Sequence, residues 1–240
     1  MPQITVGQFP RAPTCVESPL FNDFEFMMWI LMSQVETNLE ALCKLAKEFG
    51  VTNAVSFNAK RVVVDERVRL KCLVPVCDDY GLNLMCPPNV MSVQEFREIL
   101  ARYNWAILIQ IEELIPAEMM KEIQQADDVA GLYKSTRFKD SYKKTFDPIK
   151  LKLHRIVHKV EAQAFALGYR FATGFIAGSC KLCPECVAKK SQEPCRHPFR
   201  ARPPMEAVGI DVFKTGENAG LPFDIPPKNK TVWNGLVLVT

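Results

Sequence analysis

The sequence predicts an α+β or α/β fold, a mixed β-sheet layered with helices and carrying two irregular cysteine-rich loops. Three observations predict it. Segments with helical spacing alternate with short runs of strand character. No repeat of fixed period is present. The 240 residues, 48% apolar and 24% charged, suffice for one sizeable core. We therefore expect an N-terminal arm and apolar helix over 1–36 and a single metal-binding domain over 37–240.

Prolines at 2, 10, 13 and 19 make the first segment an irregular arm. Phe24 to Met32 is apolar apart from Glu25, but far short of the roughly 20 residues that cross a bilayer. Its bulky Phe26, Met27, Trp29, Ile30 and Met32 suit a partner, a second copy of the chain or a membrane surface; packing on the domain's own core is the commoner role. From Thr37, the positions Leu39, Leu42, Cys43, Leu45, Ala46 and Phe49 share one helical face, and Gly50 ends it. Cys43 thus reads as core.

Ala54–Phe57 and Arg61–Val64 read as short strands around Asn58, and Arg67–Cys72 leads into the first cysteine loop, held irregular by Pro75, Gly81, Pro87 and Pro88. Ser92 with Glu95 forms a capping box for the helix of Phe96, Ile99, Leu100 and Tyr103, and Trp105–Ile111 follows as a buried strand. Glu118–Asp147 is polar enough for surface helix and loop. Ile149–Leu167 is an amphipathic helix closed by Gly168, and Tyr169–Ile176 a strand entering the second cysteine loop. Met205–Asp211 reads as a short helix and Trp233–Val239 as a closing strand.

Thirty basic against 27 acidic residues leave a net charge of +3, too balanced to indicate nucleic-acid binding. Neither a dinucleotide fingerprint, nor a phosphate-binding loop, nor a nucleophile elbow occurs. The nine cysteines are odd in number and clustered, and no charged-then-apolar leader precedes them. Thiolate ligands in a reducing cytoplasm are therefore expected over disulfides.

Cys180, Cys183 and Cys186 follow C-x2-C-x2-C, and Cys195 comes after eight intervening residues. Three close cysteines and a remote fourth are a common way to hold a [4Fe-4S] cluster. Zinc is the alternative, since four thiolates also close a tetrahedral site, although zinc usually draws on two separated C-x2-C pairs. Cys72, Cys77 and Cys86, spaced C-x4-C-x8-C, form a less specific second group. They would hold a second cluster with one iron open, complete a cluster begun by the other loop, or serve as buried apolar residues. Lys181, Lys189, Lys190, Arg196, Arg200 and Arg202 surround the second loop, where they would offset thiolate charge or receive an acidic redox partner, though most read as solvated. His154 and His158, beside Lys152, Arg155 and Lys159, read as a solvent-facing basic stripe; His197 is a reserve ligand, and Cys15 is incidental.

The ordered set Val68-Arg-Leu-Lys-Cys72, Cys77, Tyr80-Gly81, Met85-Cys-Pro-Pro88, Ala177-Gly-Ser-Cys-Lys-Leu-Cys-Pro-Glu-Cys186, Pro194-Cys-Arg-His-Pro198 and Met205-Glu-Ala-Val-Gly-Ile-Asp-Val212 resembles the family of predicted metal-binding proteins called domain of unknown function 2284, over roughly residues 37–215. The resemblance implies a cysteine-bound metal, iron–sulfur first, in proteins typical of anaerobic bacteria and archaea; it implies no reaction. Three functions follow. The chain is a cytoplasmic iron–sulfur redox protein acting on a small molecule or a partner-bound cofactor, with one or two [4Fe-4S] clusters; or a non-catalytic electron carrier or assembly subunit; or a zinc-stabilised interaction module. Whether it turns over a substrate, and whether it forms a homo-oligomer, stay open at this point.

Overall fold

The structure, a computed structural model, describes residues 23–126, 129–132, 135–189, 191, 193–225 and 227–240. The arm to Pro19, Cys15 and Lys190 lie outside them, as do the side chains of Phe24, Phe26 and Trp29. The chain divides into two compact units between Thr37 and Asn38. In the first, helix α1 (Asp23–Glu48) begins, well before Thr37, and Met27, Met28, Ile30, Leu31 and Met32 are exposed. Among the described residues no helix is long and apolar enough to cross a membrane.

The second unit holds a sheet of β1 (Asn53–Asn58), β2 (Trp105–Leu114), β3 (Thr173–Phe175) and β4 (Lys230–Val239) in the order β1-β2-β4-β3. Every neighbouring pair is antiparallel, which makes the fold α+β. The expected strand at Arg61–Val64 is not one: Ala59–Arg61 is a 3₁₀ turn capped by Asn58, and Val64 makes a single bridge to Ile210. The side chain of Asn58 accepts from the Lys60 N–H and draws the chain out of extended geometry.

One face of the sheet packs Phe57, Leu108, Phe175, Leu236 and Leu238 against Phe96, Met205 and Ile210. Phe96 belongs to α3 (Val93–Leu100), whose Ser92–Glu95 capping box is complete. Met205 and Ile210 flank a 3₁₀ turn, Glu206–Val208, in place of the expected helix. Short helices α2 (Leu70–Leu73), α4 (Ala117–Gln125), α5 (Val129–Leu132) and α7 (Val212–Asn218) lie along the connections.

The opposite face carries α6 (Thr136–Ala166), which starts thirteen residues before the expected Ile149 and runs through Pro148. Phe138 and Phe146 on its early turns are buried with Ile115 and Met119, so this segment is core and not surface. A Cβ on Gly174 would lie 2.5 Å from Val157 Cγ1, and one on Gly235 2.5 Å from Val157 Cγ2, so glycine lets the helix lie close on β3 and β4. The Asn38–Glu48 part of α1 packs beside β1: Cys43 is buried, as expected, and hydrogen-bonds Ser56.

Arg202 and Glu161 pair across this layer. Arg202 Nε donates to both carboxylate oxygens of Glu161, at 3.0 and 2.7 Å, with side chains 18% and 11% exposed. Arg202 is therefore not solvated, as its place in a basic loop suggested. Glu161→Ala leaves a half-buried guanidinium without its partner and is expected to cost about 3–5 kcal/mol in denaturant unfolding. Gly209 has φ +87°, and a Cβ there would sit 2.7 and 2.8 Å from the Val93 methyls. Gly209→Ala is expected to cost about 2–4 kcal/mol in the same measurement, from left-handed strain plus overpacking.

Candidate metal centre

The first cysteine loop is a series of turns. Asp65 caps the 3₁₀ turn Glu66–Arg69, and α2 then brings in Cys72. The Cys77 N–H donates to the Cys72 carbonyl at 3.1 Å, and the Tyr80 N–H to the Cys77 carbonyl at 3.0 Å. Gly81, at φ +68°, turns the chain so that its N–H reaches the Pro87 carbonyl at 2.8 Å, and the Cys86 N–H meets the Asn83 carbonyl at 3.0 Å. Lys139 of α6 pairs with Asp78 and holds the loop on that helix.

The second loop leaves β3 at Ile176, where the chain is pinned by hydrogen bonds to Pro203 and Met205. Cys180, Cys183 and Cys186 occupy irregular backbone ahead of the 3₁₀ turn Val187–Lys189, anchored by buried Val187. Arg196 donates to the Glu185 carbonyl at 3.2 Å and folds the Cys195 stretch back onto the triad.

Cys180, Cys183, Cys186 and Cys195 line one cavity of about 20 Å³, with His197 and Asn83 also in its wall. Backbone N–H groups are directed at three of the four sulfurs. Leu84 donates to Cys186 Sγ at 3.5 Å and His197 to Cys195 Sγ at 3.4 Å, while the Leu182 N–H bonds the Cys180 thiol. Such donors stabilise negative sulfur, so the set suits a thiolate-held metal. The cavity has room for one ion or water. Among the described residues, no group of three or more His, Cys, Asp or Glu is close enough to hold a metal as it stands.

The two loops touch. Asn83, 4% exposed, donates from Nδ2 to the Cys180 carbonyl at 3.2 Å and accepts from the Met85 N–H at 3.0 Å. Leu84 comes from the first loop and Cys186 from the second. Sequence reasoning missed Asn83; an asparagine among loop prolines and glycines was the signal, as a side chain that folds back on its own backbone.

Electrostatics link the thiols. Burial pushes the Cys86 thiol up, reinforced by Asp79 and then by Cys77, Cys72 and Cys180. Burial raises Cys72 as well, with Cys77 adding to it, and raises Cys180 against the Leu182 N–H, with Cys195, Cys183 and Cys186 adding to it. Cys86 thus feels thiols of both groups. Beside the first loop lies a larger cavity of about 470 Å³, whose wall includes Lys71, Glu206, Phe213, Phe223 and Trp233. Burial raises the Glu206 carboxyl, opposed by Lys71 and Lys150.

His154 does not belong to a solvent-facing stripe. It is 2% exposed, and its Nε2 lies 2.8 Å from the Arg200 carbonyl oxygen, because its position on α6 turns it under the second loop.

Entry to the first loop is acid-sensitive. Hydrogen bonds from the Arg67 side chain and N–H hold the Asp65 carboxyl down at about 2. A depressed carboxyl stabilises the fold above its unfolded value of about 3.9, and that contribution fades as pH falls through the folded value. The unfolding midpoints of wild type and Asp65→Ala are therefore expected to differ near neutrality and to converge between about pH 4 and pH 2.

Comparison with curated proteins finds no match, and comparison with solved structures finds none. Residues 55–239, from β1 through both cysteine loops into β4, match the family described as Predicted metal-binding protein (DUF2284), and the chain belongs to that family.

Proposed function

We propose that the protein is a cytoplasmic iron–sulfur redox protein. In this reading Cys180, Cys183, Cys186 and Cys195 hold an electron-transfer cluster, and Cys72, Cys77 and Cys86 hold a second with one iron open to substrate. The observation that carries it is the convergence of four cysteines on one cavity, with N–H donors on three sulfurs and the second thiol group packed against it. Iron–sulfur clusters supply one-electron transfer at potentials set by ligands, hydrogen bonds to sulfur and burial. The chain's residues would do the rest: Asn83 holds the loops in register, and burial of Cys86 keeps water from its sulfur.

The 470 Å³ cavity supports catalysis over simple electron carriage. Its wall joins cations, carboxyls and aromatic side chains, with Lys71 the sequence neighbour of Cys72, as a small-molecule site does. Lys181, Lys189, Arg196 and Arg200 offer a basic surface to an acidic redox partner.

Zinc is the second reading, favoured by the small volume of the cavity that the four cysteines line, which suits one ion better than a cubane.

Anaerobic purification followed by iron, sulfide and zinc quantification decides between them. We expect coloured protein with iron and labile sulfide in equal amounts, and separate partial losses of iron in Cys183→Ala and Cys77→Ala. A small iron ligand such as cyanide is expected to perturb the spectrum of wild type and Cys183→Ala but not of Cys77→Ala. Colourless protein with stoichiometric zinc and no sulfide would end the redox reading.

A further inference from the structure

Between α6 and the second cysteine loop lies another cavity, of about 310 Å³. Leu182 and His197 line both this space and the thiol-lined one, so the two adjoin. The chain has three histidines, and all of them, His154, His158 and His197, line it. Three cations join them, Arg155, Lys159 and Arg200, and among the described residues no carboxylate lines the cavity.

His154 carries the argument. A carbonyl oxygen only accepts, so the contact of its Nε2 with the Arg200 carbonyl puts the hydrogen on Nε2. Nδ1 of the neutral ring then presents a lone pair. That atom is buried and has no hydrogen-bond partner, and the same is true of Nδ1 of His158, one helical turn further on. Buried polar atoms in folded proteins are nearly always paired, so an orphan acceptor on a residue that lines a cavity points to a missing donor. The Arg200 guanidinium reaches His197 Nδ1 at 3.4 Å, which draws the loop's cation to the same space.

Imidazoles suit either a metal ion or a polar ligand, and the charges decide between them. Glu161, the carboxylate that acts on His158, is paired with Arg202, so the three lining cations repel a divalent metal and attract an anion. A fully deprotonated anion would give the cations what they need but offer nothing to the lone pair of His154. An anion that keeps an O–H meets both demands: its oxygens accept from guanidinium and ammonium, and its hydroxyl donates to the imidazole.

We propose that this cavity binds an oxyanion that retains an O–H, with hydrogen phosphate as its simplest form. The site stands on α6 and loop residues that hold whichever metal the cysteines carry, so its test is separate from that of the redox reading.

Full-length protein, purified anaerobically with its native metal content, is titrated calorimetrically with inorganic phosphate and with sulfate near neutral pH. One phosphate per chain is expected. Sulfate, with the charge but no hydrogen, is expected to bind at least about tenfold more weakly, the share of one lost hydrogen bond. Arg155→Ala and Arg200→Ala alter exposed side chains. Each is expected to weaken phosphate about tenfold or more, as loss of a charge-assisted hydrogen bond does, with unfolding midpoint and metal content unchanged. Absence of phosphate binding, equal affinity for sulfate, or phosphate affinity untouched by both variants overturns the proposal.

Discussion

The structure of the candidate centre depends on how two loops far apart in sequence are fastened. Asn83 and Cys180 are 97 positions apart, and Leu84 and Cys186 are 102 apart. Closing such long stretches costs entropy before any metal is held. Two hydrogen bonds supply the local geometry. The sheet and α6 set the distance, and Asn83 sets the register.

That dependence explains the tight packing beneath the loops. Gly174 and Gly235 let α6 settle onto β3 and β4, and β3 delivers the chain directly to Ile176 and the second loop. The Arg202–Glu161 pair then holds the far end of the same loop against α6. Both ends of the cysteine-bearing segment are thereby tied to one platform, while the segment itself remains irregular enough to turn its sulfurs inward.

Much of this was legible in the sequence where a local signal coincided with the tertiary outcome. The Ser92–Glu95 box, the Gly50 helix end and the strand from Trp105 are local features that packing then reinforced. Arg61–Val64 misled because its β-branched residues suit a strand, whereas the Asn58 side chain bends the backbone first. Pro148 and the many charges around it hid the first half of α6, since the burial of Phe138 and Phe146 comes from partners distant in sequence. His154 was hidden likewise: basic neighbours made it look solvated, and only the fold of a loop 46 positions away covers it. The cysteine groups were plain as spacing, but their adjacency was not, because nothing in either motif names the other.

Helix α6 meets the first loop at Lys139 and the second through Glu161. An α-helix advances about 1.5 Å and turns about 100° with each residue. The two loops are therefore matched in angular phase as well as in reach. One residue gained or lost between Lys139 and Glu161 would swing one attachment about a quarter turn away from the other, so the span of helix between them is as much a part of the fastening as the two ion pairs themselves.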